Sequence, residues 1–416
     1  MVDNLKHKEQ ILFLSGLYPK QFQEEILSNA NNYIDNAANA LQWKYVNGFD
    51  CLGWADTKLL NSKYIGSYPS RYKELFVKTR PFAHQEGASD IDIGFCNLKY
   101  YKVVSRFIAI KRVLRREIKN RIGNTNFILV AYSLTDTNAR LLKFAKKILP
   151  SIKTVIIVPD LPEYMNTSNK ESLLYSVLKS IEIKLIRRNM KYVDHYVFLT
   201  KAMAKFLKVK KDYFVCDGLV DDVKYVKPSE KSQDFNVVYT GSMHERYGVK
   251  NLVGGFMQVR DKRFRLILCG GGDSADYIKR CAEVDKRIIY KGAVRPKEIR
   301  KIQLSAGVLV NPRTNDEEFV KYSFPSKVLE YMSAGRPVLT YKLSSYSDVY
   351  DEFLIYVSEK STDQVANIMG ALIDLSKLPS ARRTKIGYNC FRFVKENRTF
   401  SMVVPEIMKS VRQKTS

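Results

Sequence analysis

The chain is poor in cysteine, histidine and tryptophan, with six, four and two in 416 residues. The cysteines are scattered, with no C-x-x-C pair and no histidine at ligand spacing, which excludes a zinc ribbon and a disulfide framework. Long apolar runs are also missing. No uncharged run approaches the roughly 18 residues needed to span a bilayer. Residues 1–10 lead only into the short stretch Ile11–Leu14, too brief for a signal-peptide core, so the chain is expected on the cytoplasmic side. Acidic residues are in deficit: 43 Asp+Glu stand against 69 Lys+Arg, a formal charge of +26. That excess calls for an anionic partner, whether nucleic acid, acidic lipid or a phosphorylated ligand. No nucleic-acid motif is recognisable, so nucleic acid is not expected among the partners.

What is present is ordinary globular material, 45% hydrophobic and long enough for two or three domains. Ile11–Ser15, Asn126–Tyr132, Lys153–Val158 and Tyr192–Thr200 are apolar strand candidates. Helical spacing over Asn31–Trp43, Asn138–Leu149 and Leu173–Met190 alternates with them. Asp217–Asp234 is charged, carries Gly and Pro, and reads as a linker. Beyond it, Phe235–Thr240, Arg265–Cys269, Arg287–Tyr290, Gly307–Val310 and Pro337–Thr340 repeat the alternation. The fold class expected is α/β, two mostly parallel sheets covered by helices, with function at the carboxyl ends of the strands and in a cleft between the two domains.

Three strand-end turns stand out. Gly241-Ser242 follows the first strand of the second half, with Arg246 close behind, and backbone amides there can approach a phosphate. Gly270-Gly271-Gly272 has the same place after the next strand, and Gly292-Ala293-Val294 can offer backbone groups to a base. The third segment is NPRTNDEEFVKYSFPSKVLEYMSAGRPVL, residues 311–339. In it Ser326 is expected to cap a helix, Lys327 lies in the first turn, Glu330 lies one turn on, and Gly335 ends the helix. A lysine at a helix start opposes the dipole unless an anion binds there; otherwise Lys327 and Glu330 are a surface pair. Asp90-Ile91-Asp92 matches the D-x-D of metal-dependent transferases of another fold, but lacks its surroundings and is set aside, so no metal site is expected.

The run YSFPSKVLEYMSAGRPVL, with VVYTGSMHERYGVKNL, LILCGGG, IIYKGAV and the N-terminal ILFLSGLYPK and DNAANALQW, resembles retaining GT-B glycosyltransferases of the family 4 type, notably bacterial capsule and exopolysaccharide enzymes. The resemblance implies two Rossmann-like domains facing across a central cleft. An acceptor domain would span 1–215 and a nucleotide-sugar domain 216–395, with residues 396–416 crossing back. It implies that Glu330, at the second glutamate of an E-x7-E motif, holds the nucleotide ribose, and that Ser326 and Lys327 meet the donor diphosphate. Tyr322 stands where the first glutamate would contact the sugar. Gly241 opens the phosphate loop, whose usual Arg and Lys positions fall on Ser242 and Tyr247, with Arg246 as a substitute cation. Gly16 faces the donor phosphates. Gly271 and Val294 complete the donor set, and Asp160, after the strand KTVIIV, positions or deprotonates the acceptor hydroxyl.

The activity so implied is metal-independent, retaining transfer of a sugar from a UDP-linked donor to a lipid-linked oligosaccharide. The nucleotide sugar serves as substrate and no cofactor is needed. Ile110–Ile122, with six Lys/Arg and one Glu, and Leu173–Met190 are the candidate faces for an anionic membrane surface. For Ile110, Val113, Leu114, Ile118 and Ile122 the alternative is a core-facing stripe. Two other functions remain open at this point: a GT-B-like UDP-sugar epimerase, and a catalytically silent basic partner subunit.

Overall fold

The computed structural model describes residues 8–31, 34–120, 126–164, 173–228 and 234–413. They form two compact units, one running to Cys216 and resuming at Phe400, the other Asp217–Thr399.

In the first unit β1 (Glu9–Ser15) leads through α1 (Gln23–Asn29) and α2 (Asn36–Asp50) to β2 (Ala55–Asn61). The short strands β3 (Phe76–Val77), β4 (Arg80–Phe82), β5 (Asp90–Asp92) and β6 (Phe95–Cys96) follow. Then come α3 (Tyr101–Lys119), β7 (Phe127–Tyr132), α4 (Asp136–Ile148), β8 (Lys153–Val158), α5 (Leu173–Asn189), β9 (His195–Phe198), α6 (Lys201–Phe206) and β10 (Tyr213–Val215). Among the described residues the main sheet has the order β10-β9-β8-β7-β1-β2-β5-β4, and only β4 runs antiparallel in it. β1, β7 and β8 are apolar along their length because helices cover both faces of a parallel sheet, so no alternation is needed. α4 forms between clear signals: the Thr135 hydroxyl accepts from the Asn138 amide, Asp136 lies in the first turn, and Lys146 and Lys147 lie in the last.

Two segments singled out in the sequence find their places in this unit. Asp90-Ile91-Asp92 is strand β5, and both carboxylates are used internally. Asp90 accepts from the Leu59 amide at 2.8 Å and from His84, while Asp92 accepts from Asn61 at 2.8 Å and pairs with Lys63 at 2.5 Å. The apolar stripe of the basic segment also points inward. Ile110, Leu114 and Ile118 are buried, and Glu117 in their midst pairs with Lys58 at 2.9 Å. Ile122 lies outside the described residues.

The second unit repeats strand and helix: β11 (Phe235–Thr240), α7 (Val249–Met257), β12 (Phe264–Cys269), α8 (Ala275–Val284), β13 (Ile288–Tyr290), α9 (Pro296–Leu304), β14 (Val308–Asn311), α10 (Ser326–Ser333), β15 (Val338–Thr340), β16 (Ile355–Tyr356), α11 (Gln364–Lys377) and α12 (Ser380–Asn397). Its sheet is parallel, in the order β13-β12-β11-β14-β15-β16. The connections therefore reverse direction between β11 and β14, the place where open α/β sheets bind ligands. Glu396 and Asn397 are still part of α12, so the chain leaves this unit a few residues later than the sequence suggests. Near that exit Arg398 pairs with Asp217 at 2.7 Å, and its carbonyl accepts from the Val220 amide at 2.9 Å. The final helix α13 (Phe400–Arg412) packs in the first unit against α2. Gly48 is needed there, because a Cβ at that position would stand 2.4 Å from the Val404 side chain.

Candidate functional site

The candidate residues of the second unit lie where strands β11 to β14 end. The three glycine turns are tied to one another. The Met243 amide donates to the Gly271 carbonyl and the Ser274 amide to the Met243 carbonyl, each at 2.9 Å, while the Gly270 amide reaches the Gly292 carbonyl at 2.7 Å. Gly270 has φ +141°, and a Cβ there would meet the Gly241 carbonyl oxygen at 1.8 Å. A Cβ at Gly272 would meet Met243 backbone at 2.4 Å. Two of the three consecutive glycines thus serve loop stacking, and Gly271 alone borders open space. Ser242 is exposed, its carbonyl held by the Tyr239 hydroxyl at 2.7 Å. Val294 is half-buried in the third turn.

A polar chain connects this edge to α10. The Tyr331 hydroxyl accepts from the Thr240 amide at 2.8 Å and donates to the Thr240 carbonyl at 3.0 Å. Burial pushes this phenol well above its ordinary value, so it remains a donor. Gln303 donates to the Thr240 hydroxyl at 3.0 Å and to Glu330 Oε1 at 2.7 Å, and Lys327 donates to Glu330 Oε2 at 2.7 Å. Glu330 is therefore fixed on both oxygens. Its side chain is still 38% exposed, so a ligand hydroxyl can reach it. Lys327 and Glu330 do form the i,i+3 pair, so the lysine's misfit with the helix dipole is offset within the helix. Ser326 is the first helical residue and not the cap: Pro325 holds that place, without a side-chain hydrogen bond, because proline presets the extended backbone there. Gly335, with φ +68°, follows the helix end as expected. Tyr322 is buried, with the Lys321 ammonium 5.0 Å from its ring.

Sequence reasoning missed Arg313. It comes two residues after β14 and is 5% exposed, and among the described residues its Nε and Nη2 have no hydrogen-bond partner. Nη1 reaches the Ser323 hydroxyl only at 3.5 Å. The guanidinium lies 4.6 Å from the Phe319 ring and 5.7 Å from the Tyr247 ring. The exposed Arg246 lies 5.6 Å and 5.1 Å from the same two rings. The signal available was a cation directly following a buried apolar strand, where an unpaired charge is costly.

In the first unit Asp160 lies two residues beyond β8, exposed to solvent, yet enclosed enough that burial, and then the nearby Asp35 charge, raise its carboxyl above the ordinary value. Burial followed by Asp160 raises the Tyr132 phenol in turn. The Gly16 amide is committed to Gln42 Oε1 at 2.7 Å, and a Cβ on Gly16 would collide with the Tyr64 ring. The glycine is required by Tyr64, and its amide is not available to a phosphate.

No curated protein matches the sequence. Solved structures match the fold over nearly its whole length. Sucrose-phosphate synthase from Thermosynechococcus elongatus is 12% identical, with TM-score 0.66 over 97% of this chain and 99% of that one. WaaG, a glycosyltransferase involved in lipopolysaccharide biosynthesis, is 13% identical, with TM-score 0.58 over 97% of this chain and 100% of that one. Anabaena HepE in complex with UDP is 13% identical, with TM-score 0.59 over 97% of this chain and 99% of that one. The chain has the two-domain α/β GT-B fold, and residues 234–374, almost all of the β11–α11 region that carries the turns and α10, match the family Glycosyl transferases group 1.

Proposed function

We propose that the protein transfers a sugar from a UDP-linked donor to a lipid-linked oligosaccharide in bacterial capsule or exopolysaccharide synthesis, with retention of anomeric configuration. One observation carries the donor half. Glu330 presents a carboxylate oriented by Gln303 and Lys327 at the strand ends of a segment that matches a glycosyltransferase family. A carboxylate held in this way can accept both ribose hydroxyls. Lys327 and Arg246 supply positive charge for the leaving diphosphate, the role a metal ion plays in other transferases. The HepE structure, which holds UDP, supports the choice of nucleotide. Asp160, with its raised carboxyl, is suited to receive the acceptor hydroxyl proton. Thermal melting with a panel of nucleoside diphosphates tests the donor. Millimolar UDP should raise Tm by several degrees, and GDP and ADP by less. A melting curve unmoved by every nucleotide would rule the donor site out.

A membrane-bound acceptor is supported by a surface that keeps the Leu173–Met190 segment the sequence suggests and replaces the buried Ile110–Ile118 stripe with the opposite face of α3. α3 and α5 flank α4, and they expose Val103, Val104 and Ile108 on the first and Val177, Leu178 and Ile181 on the second. Exposed Arg112, Arg115 and Arg116 and the exposed Arg187 and Arg188 accompany them. Apolar side chains beside basic ones fit an anionic interface, at about 1 kcal/mol per basic residue near the surface. The protein should sediment with phosphatidylglycerol vesicles at low salt, and Val104→Glu combined with Ile108→Glu should release it. Equal sedimentation of the double variant would discard this face.

A further inference from the structure

We infer that Arg313 and Arg246 together form a two-guanidinium cradle for the diphosphate of the nucleotide donor, an assignment that rests on the donor reading above. Two like charges share the Tyr247 and Phe319 rings, and no carboxylate neutralises either of them among the described contacts. Among the described residues, Arg246 Nη2 bonds to the Tyr247 hydroxyl alone, at 3.1 Å. Arg313 is almost wholly buried and leaves two N–H-bearing nitrogens without partners. A guanidinium in that condition weakens the empty protein, because it has lost water and gained no counter-charge. The unpartnered edge is closed to solvent, and an anion admitted to it by a shift of the surrounding side chains would remove the penalty.

The arrangement is built into the backbone. Gly248, with φ +77°, presses on the strand exit so closely that a Cβ would stand 2.1 Å from the Pro312 carbonyl oxygen. Only glycine allows the Arg246–Tyr247 turn to lie against Pro312 and Arg313 in this way. β11 and β14 pair in parallel, Val237 with Val308 and Val238 with Leu309, so Ser242 and Arg313 leave the sheet at the same edge. The segment leaving β14 continues to α10, whose first turn carries Lys327. A diphosphate is the anion with enough oxygens to engage two separate guanidiniums, and the planar fork of Arg313 suits paired oxygens.

Titration of the full chain with UDP, uridine and inorganic pyrophosphate tests the cradle. Arg313→Met should weaken UDP and pyrophosphate about 10- to 100-fold, leave uridine within twofold, and leave the ligand-free Tm unchanged or higher. The exposed Arg246→Ala should weaken UDP by a smaller factor. If Arg313→Met does not fold, Arg313→Lys, which keeps the charge and loses the fork, should still weaken UDP severalfold. Equal UDP binding by wild type and variant would overturn the cradle while leaving the donor reading standing. So would a ligand-free Tm that falls while uridine weakens as much as UDP, since that marks a packing role. A loss seen with UDP-glucuronic acid and absent with UDP would also overturn it, because the anion would then be on the sugar. If wild type ignores UDP but binds pyrophosphate through Arg313, the donor reading fails and the anion cradle stands; if it binds neither, both fail.

Discussion

Glu330→Ala should cut affinity for UDP roughly 100- to 1,000-fold and abolish the UDP-induced rise in Tm, while ligand-free stability falls by only about 1–2 kcal/mol as buried Gln303 loses one of its two acceptors. Two hydrogen bonds from ribose hydroxyls to an ionised carboxylate, each about 1.5–3 kcal/mol, account for a loss of that size. The ion pair with Lys327 contributes little to folding, because both side chains are more than a third exposed. The substitution thus separates a binding role from a structural one. Calorimetric titration of UDP into both proteins, with melting curves of each alone, is the measurement. Affinity within twofold of wild type would reject the ribose assignment. Glu330→Gln should fall between, since one oxygen remains to accept while an amide replaces the oxygen that faces Lys327 or Gln303.

The second large effect concerns folding of the first unit. Lys63 and Asp92 are 1% and 0% exposed, so neither charge has water to fall back on. Lys63→Met should lower stability by about 3–5 kcal/mol at neutral pH, because Asp92 is left charged in the interior with Asn61 as its main donor. Burial already holds the Asp92 carboxyl above its ordinary range, against the opposing pull of Lys63. Without the lysine that value climbs further. An acid whose folded-state pKa is raised weakens folding above that pKa, and the penalty fades as pH falls through it. The gap between variant and wild type should therefore narrow on acidification. Asp92→Asn added to Lys63→Met should recover most of the loss, since its amide oxygen can still accept from Asn61. A deficit below 1 kcal/mol at pH 7.5, or one that widens at pH 5, would show that the pair is not the keystone its burial implies.

The central strands were legible because a parallel sheet covered on both faces leaves long apolar runs: Lys153–Val158 and Phe235–Thr240 have the bounds the sequence suggests. β4, β10 and β16, with two or three residues each, were not, since backbone pairing at a sheet edge leaves little trace in side chains. α10 and its Lys327–Glu330 spacing were legible, as was the glycine after it. The partners of Glu330 were not: Gln303 comes from a helix 27 residues earlier, and nothing local marks it. The basic helix misled for a related reason. A single stripe was visible, but α3 has two, and which of them faces the core depends on its packing against α4. Glycines are the hardest residues to read, because packing and ligand binding both call for them. Gly16, Gly270 and Gly272 lie where an anion site needs small residues, yet their missing side chains are taken up by Tyr64, Gly241 and Met243.

The route of the chain sets an order of manufacture. Unit two is continuous, Asp217–Thr399, whereas unit one needs α13, whose Val404 fills the space above Gly48. During synthesis the half that appears first must wait for the residues that appear last, and the half encoded in the middle can close before it. A ribosome that stalls after residue 399 would release a finished second unit attached to an unfinished first one. For the same reason a cut at Cys216 yields one autonomous fragment and one incomplete one, and residues 1–216 would have to be spliced to 400–413 to stand alone.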